Sequence, residues 1–254
     1  MKKRSFFPLP ERQHVNFCLT ENALKVIACL AMLCDHIPKV MGIGGAPYLI
    51  MSMIIGRAAF PLFCFFLVEG FFHTREVRSY LVRLALLAIL SEIPYDLALH
   101  DRLLEFGNQN AVFTLFLGLL LMTAVTKIPL FRRFKDAFLS GSSGPGAWKQ
   151  SAVSFILPAL FCFLAWLLRL DYGWSGILCI YTLFCLHGRQ KPAAALAGGC
   201  IALNLDMVSD PGAFLAVPLL FAYKGQRGRR KLKRAFYLFY PVHLLVLFML
   251  SAIL

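Results

Sequence analysis

Residues 23–38 read ALKVIACLAMLCDHIP, an apolar run that closes on a carboxylate, an imidazole and a proline at positions 35, 36 and 38. What Asp35 and His36 mean depends on the solvent around the run, and the rest of the chain supplies it. Of 254 residues, 59% are hydrophobic, 24 are Phe and only 15% are charged, with a mean hydropathy of +0.70. That is an integral membrane composition. The formal charge of +13 would suggest a nucleic-acid surface in a soluble protein. Here the basic residues stand in short clusters between apolar runs, so they read as signals of orientation, and no nucleic-acid partner is expected.

A lipid-crossing helix must satisfy its own backbone hydrogen bonds over about 20 mostly apolar residues. Nine segments answer that description, near 23–41, 48–72, 78–99, 111–128, 151–169, 172–187, 192–208, 211–223 and 235–253, the sixth and eighth being short. The expected fold class is an all-α polytopic membrane helix bundle of about nine transmembrane helices, with eight to ten as the range. Lys and Arg test the count, because they should favour alternate connections. The N-terminal tail and the links 73–78, 127–150, 188–191 and 224–234 hold four, two, five, two and seven, so 20 of the 26 fall on one side. Lys39, Arg102 and Arg169 alone fall on the other. The N-terminus is therefore expected in the cytoplasm and the C-terminus outside.

The tail, 1–22, carries basic residues but has Pro8, Pro10 and Glu11-Arg12 where the apolar part of a signal peptide would stand, and reads as cytoplasmic. Residues 23–254 read as one transmembrane domain with a flexible cytoplasmic loop at 129–150, which contains SGSSGPGA at 140–147. The eight cysteines form no CxxC pair and read as small hydrophobes rather than as a disulfide framework or a metal cluster. Gly198-Gly199 reads as a point of close helix contact, and DYGWSG at 171–176 as a tight turn with Asp171 capping the following helix.

Each charge inside a span costs at least about 2.5–3.5 kcal/mol, so it asks for a partner or a task. Lys25, Asp35, His36, Arg57, Glu69, Arg83, Glu92 and Asp96 concentrate in the first three spans, and His243 lies in the last. Their mixed signs also fit a structural ion-pair network. Lys25 and His36 are eleven residues apart, which is about three turns plus 20°, so they share a helix face roughly 16 Å apart along the axis. Asp35 is about 100° away from His36 and cannot easily orient it in a regular helix. Either Pro38 ends or kinks the helix, or the carboxylate partner comes from Glu69, Glu92 or Asp96. Glu92 and Asp96 share a face and need a cation or a shared proton, for which Arg57 or Arg83 could serve.

The succession LKVIACLAMLCDHI, GRAAFPLFCFFLVEGFFHT, SYLVRLALLAILSEIPYDLA, NAVFTLFLGLL, DYGWSGIL, YKGQRG and FYLFYPVHLL, from about 22 to 250, resembles the TraX family of membrane proteins associated with N-terminal acetylation of conjugative pilin. The Lys-x10-His spacing is also similar to the first-helix motif of the wider acyltransferase-3 membrane enzymes, which move an acyl group from cytoplasmic acetyl-CoA to an acceptor across the membrane. The resemblance implies that His36 is catalytic with Asp35 beside it. It places Arg57, Glu69, Glu92, Asp96, Asn110, Thr114, Asp171 and His243 on family-like motifs lining the site. Where an Asn-Gly-x-Arg-Gly loop is expected, the chain reads Lys224-Gly225-Gln226-Arg227-Gly228.

The function this implies is acyl transfer from acetyl-CoA to an amine or hydroxyl at the outer side of a bacterial cytoplasmic membrane. The acceptor would be a peptide or pilin N-terminus, a glycan or a lipid-linked molecule. Lys25, Arg83, Lys224 and Arg227 would face the nucleotide, and no metal is expected. An oligomer is compatible with this reading. A proton-coupled transporter or permease-like component using the same Asp, Glu and His residues as a relay is the alternative.

Overall fold

The computed structural model describes residues 19–127, 147–188, 190–206, 211–223, 225–226 and 233–253, with backbone alone at 147–154 and 233–234. Among the described residues the chain forms nine helical segments and no strand. They are α1 (Glu21–Val40), α2 (Gly45–His73), α3 (Val77–His100), α4 (Ala111–Lys127), α5 (Ala147–Leu167), α6 (Gly173–Leu186), α7 (Pro192–Leu203), α8 (Pro211–Phe221) and α9 (Lys233–Ser251). These follow the nine expected segments in order. Helix α1 starts early because Thr20 caps it, its hydroxyl accepting the Ala23 N–H at 3.3 Å. Residues 147–150 belong to α5, and the rest of the loop expected at 129–150 lies outside the described residues.

Among the described residues only α2, with 29 residues and an 18-residue stretch of mean hydropathy 1.9, is long and apolar enough on its own to cross a membrane. Helices α1 and α3 have 20 and 24 residues but carry four charged side chains each. The remaining helices are shorter in their described apolar parts, 10–17 residues. Burial adds a separate observation. Val82, Leu86, Ile89, Leu90 and Ile93 form an exposed apolar stripe along α3, and Leu238, Val242, Val246 and Met249 form another along α9. A water-solvated bundle turns such stripes inward, so these outward faces are compatible with membrane association.

Helix α9 packs against α1 and α3, α2 against α1 and α6, α4 against α3 and α6, and α7 against α6 and α8. Small residues set the closest approaches. A side chain at Gly199 would meet Leu183 Cγ at 3.0 Å and Cys179 Sγ at 3.2 Å, so Gly198-Gly199 does bring α6 and α7 together. Short contacts also pin the helix ends. Leu19 donates to the Ala222 carbonyl and Glu21 to that of Gln226, each at 2.9 Å, while Gln109 and residues 169–171 exchange two backbone bonds of 3.0 Å.

Pro38 does not end α1, which runs on to Val40. The irregularity lies in the facing helix. Helix α2 passes from a first α-turn into a wide π-turn at Leu49–Ile55, a 3-10 turn at Gly56–Ala58, and then a regular α-helix from Ala59. Such wide turns rotate the side chains that follow and often serve a site. Here the turn aims the buried Ser52 at Asp35 and lays Gly56 against the Asp35 backbone. A Cβ at position 56 would stand 2.6 Å from Asp35 Cβ and 2.8 Å from its Cα. Gly56→Ala is therefore expected to force α1 and α2 apart and to destabilise the protein by about 1–3 kcal/mol. Gly44→Ala, which meets nothing within 4 Å, should stay within about 0.5 kcal/mol. Thermal unfolding of both variants in detergent reads the difference.

Candidate active site

His36 and His243, 207 residues apart, meet where α1 crosses α9, with Nδ1 of His36 2.8 Å from Nε2 of His243. Both are buried, 7% and 6% exposed, and their rings stack at 5.0 Å. The other nitrogen of His243, Nδ1, lies 2.8 Å from the Phe239 carbonyl. A carbonyl only accepts, so His243 Nδ1 carries the hydrogen, and neutral His243 presents a lone pair at Nε2. His36 Nδ1–H then donates to it. The lone pair of His36 Nε2 is left for a reactant, which is the arrangement a general base requires.

Asp35 is buried beside this pair without bonding to it, its Oδ2 3.9 Å from His36 Nε2. Its oxygens accept instead from Ser52 Oγ and Lys39 Nζ, both at 2.6 Å. The carboxylate thus acts on the imidazole through space, as the regular helix dictates, and the orienting partner is an imidazole rather than a carboxylate from another span. Asp35, His243, Lys39 and Arg57 are the charged or titratable groups that act on His36.

The other expected members separate. Lys25 lies toward the start of α1, its Nζ 2.5 Å from Glu21 Oε1, over the rings of Phe66 and Phe236 at 5.3 and 5.9 Å. The α1 face of Lys25 and His36 therefore runs along α9 from Phe236 to His243, and the two helices are parallel. Glu69 is remote from His36 and bonds to His187 Nε2 at 3.1 Å, with His187 stacked on Phe72 at 4.0 Å. Arg57 reaches Met53 Sδ at 3.8 Å, and Arg83 is exposed against Tyr80. Neither is the cation expected beside Glu92 and Asp96.

Glu92 instead accepts from the Asn110 side chain and its N–H. Asn110 is buried, donates to the Ala88 carbonyl at 2.9 Å and accepts the Val112 N–H at 3.0 Å, tying α3 to the start of α4. Asp96 accepts the Glu105 N–H at 2.7 Å and anchors the following loop. Thr114 is fully buried at the α4–α6 contact, against Gly176. Asp171 is exposed, and α6 begins at Gly173 with Tyr172 in the cap position, so Asp171 is not the cap. Its charge acts on the hydroxyls of Tyr95 and Tyr240. Lys224 and Arg227 lie outside the described residues. Among the described residues no group of three His, Cys, Asp or Glu side chains converges as a metal site would require.

Three participants escaped sequence reasoning. Ser52 bonds to Asp35 from α2, and His187 to Glu69 from the end of α6. Tyr240 stands edge-on to His36 at 6.3 Å and to His243 at 5.7 Å; its three-residue spacing from His243 was the available signal.

The described residues thus define a membrane-compatible helical bundle with a buried, hydrogen-bonded pair of histidines joining its first and last described helices. The comparisons narrow it: residues 20–251 match the model described as TraX protein, and the chain belongs to that family. It is 32% identical over 250 residues to the "Probable fimbrial assembly protein FimC, serogroup H1" of Dichelobacter nodosus, covering 88% of this chain and 92% of the relative. No solved structure matches.

The loop after α3 offers a test by pH. Glu105 accepts the Gly107 N–H at 2.9 Å and an Arg102 N–H at 2.8 Å, which holds its carboxyl below the usual glutamate range. A depressed value means that the loop's order is fully present above the ordinary glutamate pKa, about 4.3, and is lost as pH falls through the lower folded value. Hydrogen exchange at the Gly107 amide should accelerate over that acidic window, beyond the intrinsic rate, and Glu105→Gln should remove the step.

Proposed function

We propose that this chain is a multi-pass membrane acyltransferase that takes an acetyl group from cytoplasmic acetyl-CoA and delivers it to an amine or hydroxyl acceptor at the outer side. The observation that carries this reading is the His36–His243–Phe239 hydrogen-bond chain, which leaves a bare imidazole nitrogen in a buried site. Family membership and the fimbrial-assembly description of a relative favour a pilin or other pilus peptide as acceptor. The N-terminus faces the cytoplasm in this reading, because 20 of 26 basic residues then lie inside. Lys25 would stand at the cytoplasmic mouth together with Lys224 and Arg227, and His36 nearer the outer half.

The acceptor N–H or O–H lies against His36 Nε2, which takes its proton as the acceptor attacks the thioester carbonyl carbon. His243 accepts from the other nitrogen throughout and fixes the tautomer, while Asp35 favours the imidazolium that forms. When the carbon–sulfur bond breaks, the proton on Nε2 passes to the departing thiolate and CoA leaves as the thiol. No acyl-enzyme is needed in this sequence.

Purified protein in nanodiscs, given acetyl-CoA and a peptide with a free N-terminus, should release thiol and yield acetylated peptide by mass spectrometry. His36→Ala should lower turnover by about 10²–10⁴-fold while CoA binding persists, and His243→Phe should act in the same direction. If the wild-type protein neither binds acetyl-CoA nor acetylates peptide, glycan or lipid-linked acceptors, the proposal fails. Gradient-driven uptake in proteoliposomes would then support a transporter.

A further inference from the structure

We propose that Tyr240 is a catalytic residue whose hydroxyl donates the hydrogen bond that holds the oxyanion formed when a thioester carbonyl is attacked beside His36, an inference that rests on the acyltransferase reading. Tyr240 lies three residues before His243 on α9 and so shares its face. It is 6% exposed, and its ring meets both histidines edge-on, at interplanar angles of 72° and 66°. Among the described residues the hydroxyl makes no well-aligned hydrogen bond.

A buried hydroxyl left in that state costs about 1–3 kcal/mol, and buried polar groups are otherwise almost always satisfied. The Ala111 N–H at the first turn of α4 faces the phenol oxygen. An N–H can only donate to it, so the phenolic hydrogen still lacks an acceptor. The ring is also clamped between helices, which keeps that hydrogen from reaching water. A donor carried on a ring that packs against the base, and held in reserve, suits an oxygen that becomes negative only during reaction. Asp171, Glu92 and Asp35 act on the phenol and keep it protonated, so it meets the developing charge as a donor.

The step balances without a further reactant. The acceptor's lone pair forms the new bond to carbon, its proton moves to His36 Nε2, and the carbonyl π pair moves to oxygen, where it accepts from Tyr240. Collapse restores the carbonyl, expels sulfur with its electron pair and returns the proton from Nε2 to sulfur. Tyr240 keeps its own proton throughout.

Tyr240→Phe isolates the hydroxyl, and hydroxylamine serves as a small acceptor, with thiol release from acetyl-CoA as the readout in nanodiscs. The expected result is a kcat about 10²–10³-fold lower, with KM for acetyl-CoA within about twofold of wild type. The thermal midpoint should hold or rise, because a buried hydroxyl without an acceptor is removed. A purely structural hydroxyl would lower the midpoint instead. 3-Fluorotyrosine at position 240, which retains a more acidic donor, should restore turnover. If wild type is active and Tyr240→Phe keeps more than about half its kcat, or loses CoA binding and thermal stability together, the Tyr240 role is overturned. A wild-type protein inert toward acetyl-CoA with both hydroxylamine and peptide overturns the acyltransferase reading itself.

Discussion

The hydrogen bond between His36 and His243 ties the first described helix to the last, and much of the site is arranged around it. Because α1 and α9 are parallel, one face of α1 runs from Lys25 to His36 along one face of α9 from Phe236 to His243. The imidazole of α1 is supported from two directions. Helix α9 supplies the acceptor for its Nδ1 hydrogen, and the wide turn of α2 holds the neighbouring Asp35 through Ser52. Helix α3, packed against α9, carries Glu92, which holds Asn110 at the start of α4. An imidazole in place of the carboxylate of a Ser-His-Asp arrangement orients the base without placing a second full negative charge against it.

The remaining titratable residues divide by location. Glu69 and His187 form a second, part-buried junction between α2 and α6, at the end of the bundle where Leu19 and Glu21 bond to residues 222 and 226. Asp96 and Glu105 organise the loop at the opposite end, beside the backbone exchange between Gln109 and residues 169–171. Most of the charges in α1–α3 thereby find a hydrogen-bonding partner other than His36.

Much of this architecture was legible from the sequence, for physical reasons that differ by level. Helix number and order follow from apolar run length and from links rich in Lys, Gly and Pro, both local properties. The prominence of His36 follows from the cost of a polar group in an oily run and from its spacing to Lys25 within one helix. The pairing of His36 with His243 depends on how α9 returns to α1 over 207 residues, which no local spacing encodes. The expectation of a carboxylate partner therefore assigned Glu69, Glu92 and Asp96 to a junction they do not share. Ser52 was hidden because a regular helix would point it elsewhere, and the π-turn is a response to tertiary packing. Tyr240 was hidden inside FYLFYP, where aromatic residues read as lipid-facing surface.

The meeting of α1 with α9 has a consequence for biogenesis. A ribosome makes His36 early and His243 only after the seven described helices between α1 and α9. Until α9 is in place, the lone pair and N–H of the His36 ring have no settled assignment, and Asp35 and Lys39 sit beside an unoriented imidazole. Under the proposed acyl transfer, chemical competence and completion of the bundle are therefore one event.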